Sequence, residues 1–102
     1  MIQDRLKFPD GFLEGFCRRN NIRKLSLIGS VLRADFRPDS DVDIIVEFEQ
    51  GKTPSLLRMA GLEIELSRIL GRKVDLRTPE DLGRHMRQRI MGEAQLQYAY
   101  RG

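Results

Sequence analysis

Cysteine occurs once in the 102 residues, as Cys17, and histidine once, as His85. One thiol excludes a disulfide within the chain and a zinc site built on cysteines. Cys17 lies in FLEGFCRRN, on the apolar side of an expected helix, whereas His85 lies in a polar, basic stretch. The two read as a buried thiol and a surface imidazole, not as a nucleophile with its base. No apolar run approaches the length of a membrane span, and no N-terminal stretch has the pattern of a secretion signal. The cytoplasm is the expected compartment. There is no internal repeat and no low-complexity tract. Base-stacking aromatics are missing beside the basic residues, so direct nucleic-acid binding is not expected.

What is present suits one globular domain spanning residues 1–102. Apolar residues make up 40% and charged residues 32%, with a net charge of +3 and a pI near 9.4. The basic residues are spread along the chain, which suits a solvated surface; a phosphate-bearing ligand or an acidic partner is the alternative. RHMRQR, residues 84–89, reads as the outer face of an amphipathic helix whose inner stripe is Leu82, Met86 and Ile90.

Phe12, Phe16 and Cys17, with Leu13, recur at helical spacing and predict a helix over 9–20. IRKLSLIG, residues 22–29, predicts a short strand closed by a glycine, followed by a short helix or turn over 30–34. FRPDS, residues 36–40, is a turn by composition. DVDIIVEFE, residues 41–49, is rich in β-branched and aromatic residues and predicts a strand, its continuously apolar centre covered on both faces. Residues 55–70 predict a long helix with Leu56, Met59, Leu66, Ile69 and Leu70 available for packing, stopped at Gly71. KVDLRT, residues 73–78, predicts a third strand, and Pro79 opens a further helix. The tail adds Leu96, Tyr98 and Tyr100, with core packing the expected role of the tyrosines. The expected fold class is α/β (α+β), a small mixed sheet flanked by helices.

The chemistry concentrates in GSVLRADFRPDSDVDIIVEF, residues 29–48. Residues two apart on a strand share a face, so Asp41 and Asp43 point one way at the strand's start. Asp75 sits between Val74 and Leu76, an unusual place for a carboxylate without a partner. If the two strands are neighbours, three carboxylates converge, and divalent cations with oxygen preference, Mg²⁺ above all, relieve their repulsion. Gly29 allows an anion close approach to the main chain and Ser30 adds a donor. DSDVD alone also fits a turn before a solvated strand. A calcium loop starting at Asp39 is excluded, since it needs Gly and Glu where Ile44 and Gln50 stand.

Together these residues resemble the signature of the polymerase-β-like nucleotidyltransferase superfamily, Gly-Ser followed by Asp-x-Asp. The nearer likeness is to the minimal nucleotidyltransferase (MNT) family, GSxARG(D/E)xxxxSDxDLxV, on which Gly29, Ser30, Arg33, Asp35, Ser40, Asp41, Asp43 and Val46 fall. The likeness covers roughly residues 22–101. It includes the third acid in GRKVDL, and RIMGEAQLQYAYR is similar to the family's last helix. Leu32 and Ala34 depart from the usual Ala and Gly.

The resemblance implies the nucleotidyltransferase fold and Mg²⁺-dependent transfer of AMP from ATP. It implies two Mg²⁺ ions on Asp41, Asp43 and Asp75, and a nucleotide held by Gly29, Ser30, Arg33 and Ser40. Arg33 fits either a phosphate contact or an ion pair with Asp35. The chain is nearly all catalytic core, so a protein acceptor is expected. In the MNT family that acceptor is a HEPN-domain RNase toxin, modified at a tyrosine, with the MNT protein as antitoxin and a hetero-oligomer of the two as the complex. Neutralisation by contact alone and transfer to a small molecule are the alternatives.

Overall fold

The computed structural model describes residues 6–32 and 40–100. Arg33, Ala34, Asp35 and Asp39, and with them most of the FRPDS turn, lie outside the described residues. Helix α1, Phe12–Arg19, leads into β1, Ile22–Ile28, which ends in a 3-10 turn, Gly29–Leu32. Strand β2, Val42–Phe48, is followed by α2, Leu56–Leu70, and β3, Val74–Arg77. A 3-10 turn, Pro79–Asp81, then α3, Arg84–Glu93, and β4, Gln95–Ala99, complete the order.

The four strands form one mixed sheet in the order β3-β2-β1-β4. β1 pairs antiparallel with both β2 and β4, and β2 pairs parallel with β3. The α+β expectation of a mixed sheet flanked by helices therefore holds.

The sheet is covered unequally. Val42, Ile44 and Val46 of β2 join Leu25 and Leu27 of β1, Phe16 and Cys17 of α1, and Leu62 and Leu66 of α2 in the main core. The opposite face carries a smaller core of Ile28, Ile45 and Leu82, with Ile90, Met91 and Ala94 against it. Ile44, Ile45 and Val46 are all buried, as their continuous apolar run predicts. On α1 the rings of Phe12 and Phe16 stack 5.4 Å apart. Ser55 caps α2, its hydroxyl accepting from the Arg58 amide at 3.2 Å, and Gly71 ends it in the left-handed conformation at φ 67°.

Several expectations are corrected. The chain after Glu93 is a strand, not the continuation of a last helix. Ala94 takes extended backbone, and residues 95–99 find the open edge of β1. Pro79 does not open the helix of Met86 and Ile90, which begins at Arg84: Asp81 Oδ2 accepts from the Thr78 amide at 3.0 Å and closes a 3-10 turn. Leu82 then turns extended and is buried, while Met86 is exposed, so the stripe through Ile90 is not one helix face. On α2, Leu56 is 89% exposed because it precedes the packed face of Met59, Leu62 and Leu66. Ile69 is also exposed. Tyr98 packs on the main core, and Tyr100 is exposed.

Burial pushes the Cys17 thiol up to about 12. The thiol is therefore expected to resist a disulfide reagent at pH 8 in the folded chain and to react promptly in denaturant. Fast labelling without denaturant contradicts that packing. An acid raised in this way contributes stability below its ordinary value near 9.0, and that contribution fades as pH rises toward 12.

Candidate active site at the ends of the central strands

The candidate site lies on the thinly covered face of the sheet, where β1, β2 and β3 bring their chemistry to one end. Antiparallel pairing sets Ile28 opposite Asp43, and parallel pairing sets Asp43 beside Asp75. The alternation along β2 explains the placement. Val42 and Ile44 belong to the main core, so Asp43 must face the other way, toward the smaller core and solvent. Asp41 precedes the strand and is exposed.

Gly29 sits so close to Asp43 that any side chain there would displace the carboxylate. A Cβ on Gly29 would stand 2.5 Å from Asp43 Oδ2, and the residue has φ +74°. This is the physical content of the glycine that closes β1: a left-handed turn and contact with the carboxylate on the paired strand. Ser30 follows Gly29 in the 3-10 turn, and Ser40 is half-buried just ahead of β2.

Burial holds the Asp43 carboxyl above its usual range, with a further rise from the charges of Asp75 and Asp41. Arg77 opposes that rise. Its Nη2 donates to Asp75 Oδ2 at 2.7 Å. Among the described residues no three His, Cys, Asp or Glu side chains are grouped as metal ligands. Asp41, Asp43 and Asp75 thus share one end of the sheet without being drawn together: their charges repel, and Arg77 engages Asp75.

The strand that carries Asp75 is fixed from its outer side by α2. Ser67 Oγ accepts from the Val74 amide at 2.9 Å, and Glu63 Oε2 accepts from the Leu76 amide at 2.8 Å. These bonds pair donors that a strand at the sheet's edge would otherwise present unpaired.

A cleft of about 680 Å³ opens beside Gly29 and Asp43. Leu32, Leu82, Met86 and Ile90 give it an apolar wall, and Arg77 and Arg89 line it with positive charge. The sequence reading missed Arg77 and Arg89. For Arg77 the signal is its spacing, two residues beyond Asp75 on the same strand. For Arg89, nothing in the sequence sets it apart from the other arginines of RHMRQR.

A family model described as the nucleotidyltransferase domain matches residues 10–96. A Methanocaldococcus jannaschii protein provisionally named a protein adenylyltransferase is 37% identical over 76 residues, covering 74% of this chain and 80% of its own. The protein adenylyltransferase MntA of Thermococcus cleftensis is 45% identical over 58 residues, which span 57% of either chain. A solved structure provisionally described as a minimal nucleotidyltransferase superposes with a TM-score of 0.66 at 35% identity, covering 80% of this chain and 82% of that one. A toxin–antitoxin structure with AMP-PNP shares the fold, with a TM-score of 0.70 at 20% identity over 87% of this chain and 72% of that one. The mixed sheet, its glycine turn and its paired strand carboxylates accord with a match that runs through nearly all the described residues, and the chain belongs to the nucleotidyltransferase domain family.

Proposed function

We propose that the chain is a Mg²⁺-dependent protein adenylyltransferase that moves AMP from ATP to a tyrosine hydroxyl of a cognate HEPN-domain toxin, and so acts as its antitoxin. The observation that carries this reading is the seat of Gly29 on Asp43, with Asp75 in register on the next strand. That seat puts close main-chain approach and the Asp43 carboxylate at one cleft. The name of the 37% identical relative supports a protein as the acceptor.

The residues suit a divalent cation in their chemistry. The donors are carboxylate oxygens, and Asp43 is held above its usual range by burial and by the charges of Asp75 and Asp41, a repulsion that a bound cation relieves. Asp41, Asp43 and Asp75 would hold two Mg²⁺ ions, which supply charge neutralisation on the phosphates and a lowered pKa for the attacking hydroxyl.

The chain's own residues do the rest. Gly29, with no side chain, lets phosphate oxygens approach the backbone of the turn, and Ser30, Arg33 and Ser40 are the nucleotide contacts that the family resemblance implies. On this reading Asp75 also takes the acceptor's proton. The apolar wall of Leu32, Leu82, Met86 and Ile90 limits water beside the phosphates. The hydroxyl oxygen bonds to the α-phosphorus as the bond to pyrophosphate breaks, leaving AMP on the acceptor.

One observation favours a second reading. Asp75 is engaged by Arg77, and no three acids are grouped as metal ligands among the described residues, which suits an antitoxin that works by contact alone. The test is incubation of the chain and Mg²⁺ with the HEPN protein and ATP labelled at either the α- or the γ-phosphate. Label from the α position alone is the expected result. An inhibited but unlabelled toxin establishes the contact mechanism instead.

A further inference from the structure

Arg77 has no task in the reaction as written, yet it lines the cleft beside Gly29 and Asp43. Both side chains leave the same face of β3, and Arg77, not Asp75, is among the residues that line the cleft. The bond from Arg77 Nη2 to Asp75 Oδ2 uses an oxygen that a divalent cation needs. The guanidinium also adds a like charge where such a cation must arrive. The pair is not locked in place, with the Arg77 and Asp75 side chains 49% and 34% exposed. An ion pair this open to water is weak and can be exchanged.

We propose that Arg77 is the resident counter-ion of the carboxylates: it holds Asp75 in the metal-free chain, yields Asp75 to an arriving divalent cation, and turns to the nucleotide phosphates across the cleft. This rests on the nucleotidyltransfer reading above. The exchange has a clear logic. With Arg77 present, Asp43 and Asp75 face one another beside a positive charge. The group that keeps them apart from metal is then released at the moment phosphate needs it. Arg77 is thus a positioning residue for Asp75 and a phosphate contact in the loaded site.

The test uses the full chain with Mn²⁺ as the metal probe, read by the resonance signal of free Mn²⁺. An ATP analogue with an α,β-methylene bridge serves as the nucleotide probe, read by calorimetry. Wild type is compared with Arg77→Gln, Arg77→Lys and Asp75→Asn. Without nucleotide, Arg77→Gln is expected to bind Mn²⁺ about tenfold tighter than wild type, because a neighbouring positive charge has gone. With Mn²⁺ present, the same variant is expected to bind the analogue severalfold more weakly. Arg77→Lys keeps the charge and should stay near wild type in Mn²⁺ affinity. It also controls for any disturbance of the strand.

Opposite shifts in metal and nucleotide affinity are a signature that a merely structural arginine does not produce. If Arg77→Gln binds Mn²⁺ no tighter while Asp75→Asn loses it, the exchange is overturned and the metal site stands. Tighter Mn²⁺ with unchanged analogue binding overturns the hand-over to phosphate. If neither wild type nor Arg77→Gln binds Mn²⁺, the metal reading fails and the exchange fails with it.

Discussion

Asp43→Asn is expected to lower AMP transfer about a thousandfold or more while raising the melting temperature of the metal-free chain. The first effect follows from the loss of a charged oxygen donor between Asp41 and Asp75. Metal-assisted charge stabilisation contributes several kcal/mol, and about 4 kcal/mol corresponds to a thousandfold in rate. The second follows from the sign of the pKa shift. The folded chain holds the Asp43 carboxyl above its usual value, first by burial, then by the charges of Asp75 and Asp41. Ionised Asp43 therefore costs folding free energy. That cost is absent at pH below the ordinary carboxyl value near 3.8 and fully developed above the raised one, so it is present at neutral pH. Asparagine keeps the shape and removes the charge. Melting curves in EDTA should put the variant above wild type, with Mg²⁺ stabilising wild type more than the variant. Undiminished label transfer by Asp43→Asn would remove Asp43 from the mechanism.

Gly29→Ala is the second large effect, and it acts on geometry instead of charge. The added Cβ would meet Asp43 Oδ2 at 2.5 Å, too close for either atom to stay where it is. The backbone is at φ +74°, where an L side chain costs about 1–2 kcal/mol. The stability loss should be of that order, and it can be read from denaturant midpoints. Activity should suffer more. Pushing a carboxylate proposed to hold metal by about 1 Å is expected to cost a hundredfold in rate, and the push also narrows the approach proposed for phosphate. The expected result is a folded chain with roughly a hundredfold less transfer. A variant with near-normal transfer would show that the turn at Gly29 is a fold requirement only.

These two residues also show what the sequence makes legible. Asp43 is readable because β2 must bury Val42, Ile44 and Val46 on one side, and period-two geometry then sends Asp43 to the other. Gly29 is readable as a strand end, but its contact with Asp43 depends on β1 pairing antiparallel with β2 in one register, which no local pattern specifies. The α2 boundaries were legible because Ser55 and Gly71 supply cap chemistry on the spot. The tail was not. Leu96, Tyr98 and Tyr100 alternate as a strand would, yet QLQYA also extends a helical stretch. What decides is the free edge of β1, a tertiary fact. Likewise Leu56 looks like a core residue until the packed face of α2 is seen to begin at Met59.

Strands at the margin of a sheet are where a fold opens first, since their outward amides trade easily with water. The third carboxylate rides on such a strand, only four residues long. Glu63 and Ser67 alter that expectation, because they hold the outward amides of Leu76 and Val74. Amide hydrogen exchange at these two positions should then keep pace with the interior of the sheet. Asp75 inherits the persistence of a 15-residue helix, and the chain can keep that edge in register without adding a fifth strand to cover it.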